Sequence, residues 1–157
     1  MLKITPFLWF NDQAEEAMYF YTSIFKHSKV GSVTRYGAEG PGSPGKVMLA
    51  TFELEGQEIM AVNGGPEFHF TEAISFYVSC ETQAEVDELW EKLTTGGEEV
   101  QCGWLRDKYG LSWQIVPTAL GELLADQDAE KAGRVMKAML QMKKIDIHQL
   151  KLAYAQG

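Results

Sequence analysis

Cysteine is nearly absent from this chain of 157 residues, which carries only Cys80 and Cys102. Two thiols are too few to staple a chain that has its own hydrophobic core. With no apolar leader after Met1 and no apolar run of bilayer length, the chain reads as cytoplasmic, where thiols stay reduced. That reading excludes a disulfide framework and a membrane partner. Positive charge is scarce as well: 14 Lys and Arg stand against 22 Asp and Glu, for a formal net charge of -8. A surface that displaces phosphate counterions needs concentrated cations, so nucleic acid is excluded as a partner. The late cations Lys137, Lys143, Lys144 and Lys151 fall at helical spacing among apolar residues and read as a solvated helix face. Also missing are CxxC, HExxH, GxSxG and Walker-type glycine loops, the local patterns of redox, zinc, serine-nucleophile and nucleotide chemistry.

What the chain does have is apolar mass and a pattern written twice. Hydrophobic residues make up 45% and aromatic residues 11%, enough for a globular core of one typical domain. Each copy of the pattern opens with a short alternating strand and an acidic amphipathic helix, and continues as strands punctuated by glycine. The first opens with Ile4–Phe10 and Asp12–Phe25, the second with Ala73–Cys80 and Thr82–Leu93. The duplication predicts a pseudo-symmetric α+β architecture with a cleft.

Within the first copy, Asn11-Asp12 is the expected helix cap, and Ala14, Ala17, Met18, Tyr21 and Phe25 form a stripe facing a sheet. Strands are expected at 30–36, 46–54 and 58–63, with a Gly/Pro-rich loop at 37–45 and a hairpin turn at Glu55-Gly56. Asn63-Gly64-Gly65-Pro66 breaks the copies, and the short linker after it suggests one shared core. In the second copy Val86, Leu89, Trp90 and Leu93 share a helix face, Gly96-Gly97 stops the helix, and strands follow at 99–104 and 111–116 around an Asp107–Gly110 turn. From Thr118 the pattern turns helical. Asp126 and Asp128 are candidate caps for a helix through Met142 with a stripe of Ala132, Val135, Met136, Met139 and Leu140, and Asp146 for a last helix through Ala155. This tail is expected to dock on its own sheet or on a twin subunit.

Several of these runs carry a family likeness. The helix start DQAEEA from Asp12, the runs GKVM from Gly45, NGGP from Asn63, EAIS from Glu72 and CGWLRDKYGLSWQIVP from Cys102, and the tail AMLQMKK from Ala138 resemble the vicinal oxygen chelate superfamily of glyoxalases, bleomycin-resistance proteins and extradiol dioxygenases. More narrowly they resemble its PhnB-like branch, which often bears the label 3-demethylubiquinone-9 3-methyltransferase. The resemblance implies an α+β fold of tandem β-α-β-β-β modules with C-terminal helices: module one over 1–66, module two over 67–117 and a helical extension over 118–157. It also implies a concave cavity between paired modules and a homodimer.

Metal-dependent members place His, Gln or Glu early in the first strand of a module and near the end of its last. Carried onto this chain, those positions fall near Thr5, near Ala73 and on Gln114. Threonine and glutamine are weak donors and alanine is none, so the expectation is no metal. A methyl-donor nucleoside is usually held by a glycine-rich turn between a parallel strand and a helix, and the glycines here lie elsewhere, so no cofactor is expected either.

Strand parity sets the candidate ligand face. If Gln114 points into the cavity, so do Ser112 and Val116, and the same alternation sends Thr5, Phe7 and Trp9 inward from the first strand and Ser75, Tyr77 and Ser79 from the fifth. Asn63 and Gln114 are the polar candidates, since a buried amide requires a partner. The candidate ligand-binding set is therefore Thr5, Phe7, Trp9, Asn63, Tyr77 and Gln114, with no catalytic residue identified. Trp9 and Tyr77 read equally well as cavity filler or subunit interface. Cys102 reads as a small buried hydrophobe and His69 as an ordinary linker histidine. The expected function is metal-free binding of a small apolar or aromatic molecule. The alternative is an enzyme of the superfamily, a lyase or isomerase or the methyltransferase of the label.

Overall fold

A computed structural model describes residues 3–156. The chain divides into two compact units, the first ending at Phe70 and the second beginning at Thr71. Unit 1 contains β1 (Phe7–Phe10), α1 (Ala14–Ile24), β2 (Ser28–Arg35), β3 (Val47–Leu54) and β4 (Gln57–Asn63). Unit 2 contains β5 (Ser75–Cys80), α2 (Gln83–Thr94), β6 (Glu98–Glu99), β7 (Trp104–Arg106) and β8 (Ser112–Pro117), then α3 (Thr118–Leu124), α4 (Ala129–Leu140) and α5 (Ile147–Ala155). The sheet orders are β1-β4-β3-β2 and β5-β8-β7-β6. In both units the first strand runs parallel to the last and the remaining pairs are antiparallel. The written-twice pattern is thus one topology built twice.

In unit 1 alternation divides the sheet cleanly. Leu8, Phe10, Ala50, Phe52, Leu54, Ile59 and Ala61 are buried, as are Ala14, Ala17, Met18, Tyr21 and Ile24 on α1, so helix and sheet enclose one apolar layer. Tyr21 stacks on Phe52 with ring centroids 6.2 Å apart. The β3–β4 hairpin turns where expected, with both Glu55 and Gly56 at positive φ, the backbone a two-residue hairpin with right-twisted strands requires.

Four expectations need correction. The first strand starts at Phe7, not Ile4, because Pro6 has no N–H for the ladder and contributes only its carbonyl, which accepts from Met60 N. Thr5 therefore precedes the strand. The expected cap Asn11-Asp12 does not cap α1: Gln13 is the N-cap residue without a side-chain bond, and the Asn63 Oδ1 accepts from Ala14 N at 2.8 Å. The expected strand over 99–104 is broken, since Cys102 and Gly103 both adopt positive φ and turn the chain between β6 and β7. The helix expected to run through Met142 ends at Leu140, and Met136 and Leu140 of its stripe stay exposed.

The tail docks within unit 2. Asp128 and Asp146 cap α4 and α5 as the sequence predicts. Val116, Leu120, Val135, Ile145 and Leu150 form a buried cluster, with Met139, Met142 and Tyr154 packed around it. Polar bonds fix the position: Cys102 N donates to Met142 O, Gly103 N donates to Lys143 O, and the Gln83 amide donates to Ile145 O and accepts from Ile147 N. Gln83 also bonds Asp87 and, with Lys144 beside it, holds that carboxyl below its usual range.

Candidate functional site

The face of each sheet turned away from its helix holds four of the candidate residues, Phe7, Trp9, Tyr77 and Gln114. On unit 1 the register pairs Phe7 with Met60 and Trp9 with Val62, and Leu49 continues the second row. Phe7 is 55% exposed, although buried aromatic rings crowd the other face. Trp9 is more constrained: its Nε1 donates to Gly65 O at 2.9 Å, Phe68 packs edge-on at 4.9 Å, and its ring lies so close to Gly64 that a Cβ there would meet it at 2.4 Å. Gly64 is thus the residue that seats the indole.

On unit 2 the row Tyr77, Gln114, Trp104 crosses three strands, and the row Ser75, Ser112, Arg106 lies next to it. Tyr77 is 61% exposed. Gln114 Nε2 donates to Ser75 Oγ at 3.0 Å, which orients the amide along the face. Behind them Trp113 and Ile115 are buried toward α2, as parity predicts. Asp107, only 2% exposed, locks this strand end: Oδ1 accepts from Tyr109 N and Leu111 N, and Oδ2 accepts from Trp113 Nε1.

The six candidates therefore separate. Phe7 and Trp9 share the unit 1 face and Tyr77 and Gln114 the unit 2 face. Thr5 lies half-buried ahead of β1. Asn63 pairs with Phe10 in register and so points toward the helix layer, where Oδ1 caps α1 and Nδ2 donates to Val47 O at 3.1 Å. Its carbonyl in turn accepts from Tyr36 OH. Asn63 also borders a polar recess of about 740 Å³ between the start of α1 and the 37–45 loop, with Glu16, Arg35, Lys46 and Glu67 on its walls. Trp104 and Arg106 were not legible as site residues, because their parity with Gln114 follows only from a register that the broken strand conceals.

Among the described residues no group of three or more His, Cys, Asp or Glu is placed to hold a metal ion. At the family ligand positions Ala73 offers no donor, and Thr5 and Gln114 offer only weak neutral oxygens, so the donor set does not fit a divalent site. A nucleoside cofactor fits no better. The two strand-to-helix turns, Asn11–Gln13 and Glu81–Thr82, contain no glycine, and helix-start N–H groups are already taken by Asn63 and Thr82 side chains.

Paired sheets of this order, first strand beside last, are the fold of glyoxalase, bleomycin-resistance and dioxygenase proteins. A fosfomycin resistance protein, FosX, from Listeria monocytogenes shares it at a TM-score of 0.52 and 17% identity, covering 73% of this chain and 92% of its own. A protein from Pseudomonas aeruginosa does so at 0.62 and 21%, covering 74% and 98%. The narrower match is by sequence: the family model described as 3-demethylubiquinone-9 3-methyltransferase matches residues 2–116, and a PhnB protein from Bacillus cereus is 45% identical over 74% of this chain and 99% of its own, with a TM-score of 0.68. The chain belongs to this PhnB-like family of the vicinal oxygen chelate superfamily. No curated protein matches it. The family model stops where β8 ends, so α3–α5 lie outside it.

Proposed function

We propose that the protein binds a small apolar or aromatic molecule on these sheet faces without a metal, and self-associates as a homodimer. The observation that carries the reading is that large apolar side chains stay exposed where the fold had the means to bury them. Phe7 and Tyr77 stand more than half exposed on the faces opposite α1 and α2, flanked by Met60, Val62 and Trp104 and by a single oriented amide, Gln114. Such a wall suits a ligand held by area and aimed by one or two hydrogen bonds.

Native mass spectrometry of protein purified without chelator or affinity metal tests this. The expected spectrum shows an organic mass retained under gentle conditions and no divalent ion. One divalent ion per chain would overturn the metal-free reading and point to superfamily enzyme chemistry. Replacing Phe7→Ser or Tyr77→Ser removes an already exposed ring, so the fold should persist. The retained ligand should be bound about ten-fold more weakly, the equivalent of about 1.4 kcal/mol of lost apolar contact.

A further inference from the structure

We propose that the groove between α4 and α5 receives α1 of a second copy of this chain, with Tyr19 as the inserted ring. This rests on the homodimer reading above and gives it a surface that the family likeness does not reach, since the family model ends at residue 116. Charge is spread unevenly along the sequence. Residues 131–157 hold six of the 14 Lys and Arg but only one of the 22 Asp and Glu, so a basic pair of helices is attached to a strongly acidic remainder. A second copy therefore brings the charge that this surface attracts.

The groove has a volume of about 620 Å³, with Ala138, Met142, Leu152 and Ala153 as its apolar lining and Lys137 and Gln149 among its polar walls. Leu152 stays 46% exposed there. Arg134 joins the two helices, donating from Nε to Ala153 O and from Nη2 to Tyr154 O, both at 2.9 Å, and keeps its charge in the groove. Lys137 makes no ion pair, and the Gln149 side chain no hydrogen bond, among the described residues. An apolar cleft with an uncompensated cation suits a helix that presents an aromatic ring beside a carboxylate.

Helix α1 presents that combination. It buries Ala14, Ala17, Met18 and Tyr21 and turns Tyr19 outward, 55% exposed, with Glu15 one turn ahead on the same face. The ring brings rigid apolar area for Met142 and Leu152 and a hydroxyl for the Gln149 amide, while Glu15 meets Lys137. The other acidic helix of the first 130 residues is a poor competitor. On α2 the large apolar side chains Val86, Leu89, Trp90 and Leu93 are all buried, and Asp87 and Glu88 already pair with Lys144 and Lys92.

Sedimentation velocity over a dilution series of the full chain tests the contact. Wild type should self-associate, and more weakly as salt rises. Lys137→Glu and Glu15→Lys should each weaken self-association about ten-fold, because each sets like charges across the contact. An equimolar mixture of these two variants should recover wild-type association, which a misfolded variant could not do. Tyr19→Ser should weaken association about ten-fold at every salt concentration, through the lost ring. A wild-type dimer that neither Lys137→Glu nor Tyr19→Ser weakens, or a mixture as weak as its separate variants, would overturn this contact and leave the homodimer standing. A monomeric wild type at submillimolar concentration would overturn both, and its cosedimentation with phosphatidylglycerol vesicles would give the basic helices to lipid instead.

Discussion

Asn63 shows how a residue that reads as a ligand contact can be consumed by the fold. Its amide closes the start of α1 from 49 positions away and ties β3 to β4 through Val47 O. Asn63→Ala should cost about 1–2 kcal/mol in urea denaturation, the combined effect of a lost cap and a lost buried partner. Cys80 gives a second case. Burial first, then Glu85 and Glu81, push its thiol from 9.0 up to about 12. The folded chain therefore keeps a proton that the unfolded chain releases between those values. The associated stability is complete below pH 9 and is lost as pH rises toward 12, at up to about 1.4 kcal/mol per pH unit. Cys80→Ala should flatten that alkaline slope, as measured by denaturant midpoints across the window. For Asn63 the sequence identified a polar side chain in need of a partner, but the groups it bonds, Ala14 N and Val47 O, come from distant segments, whereas the carboxylates that act on Cys80 are its near neighbours in the chain.

At the scale of elements, the turn between β6 and β7 explains why CGW and QMKK occur together in one chain. Cys102 and Gly103 adopt φ of 59° and 85°, which aims their successive N–H groups at Met142 O and Lys143 O. A Cβ at Gly103 would meet Ile115 O and Ile145 Cγ1 at 3.1 Å on top of the backbone strain. Gly103→Ala should cost about 1–3 kcal/mol and speed hydrogen exchange at the Cys102 and Gly103 amides, the direct sign of a loosened tail. The clasp has a second latch where Tyr154 OH donates to Asp126 Oδ2 at 2.6 Å, holding that carboxyl below its usual range and the phenol above its own. Helices α1, α2, α4 and α5 and the β3–β4 hairpin were legible because apolar periodicity, Thr82, Asp128, Asp146 and Glu55-Gly56 all act locally. The strand over 99–104 was misread because alternation of residue type carries no record of φ.

For the whole molecule, the family match and the fold disagree about where the protein can be cut. The model of the family ends at residue 116, yet Val116 and Leu120 are buried with Val135, Ile145 and Leu150. A chain truncated after Pro117 should unfold at a clearly lower temperature than the full chain, because it bares Val116 and leaves the Cys102 and Gly103 N–H groups without their acceptors. Soluble yield and thermal denaturation check it. The sequence by itself determined the doubled β-α-β-β-β plan, the helices with the caps of α4 and α5, and the family, since each follows from short-range periodicity and from runs that survive as text. Only the tertiary structure decided that Asn63 faces α1, that Trp104 and Arg106 share a face with Gln114, and that Arg106 stands opposite Ser112 with its guanidinium held by Glu72 and Glu98. Those facts depend on strand register, and a register shift of one residue moves every side chain to the other face, so local sequence does not encode them.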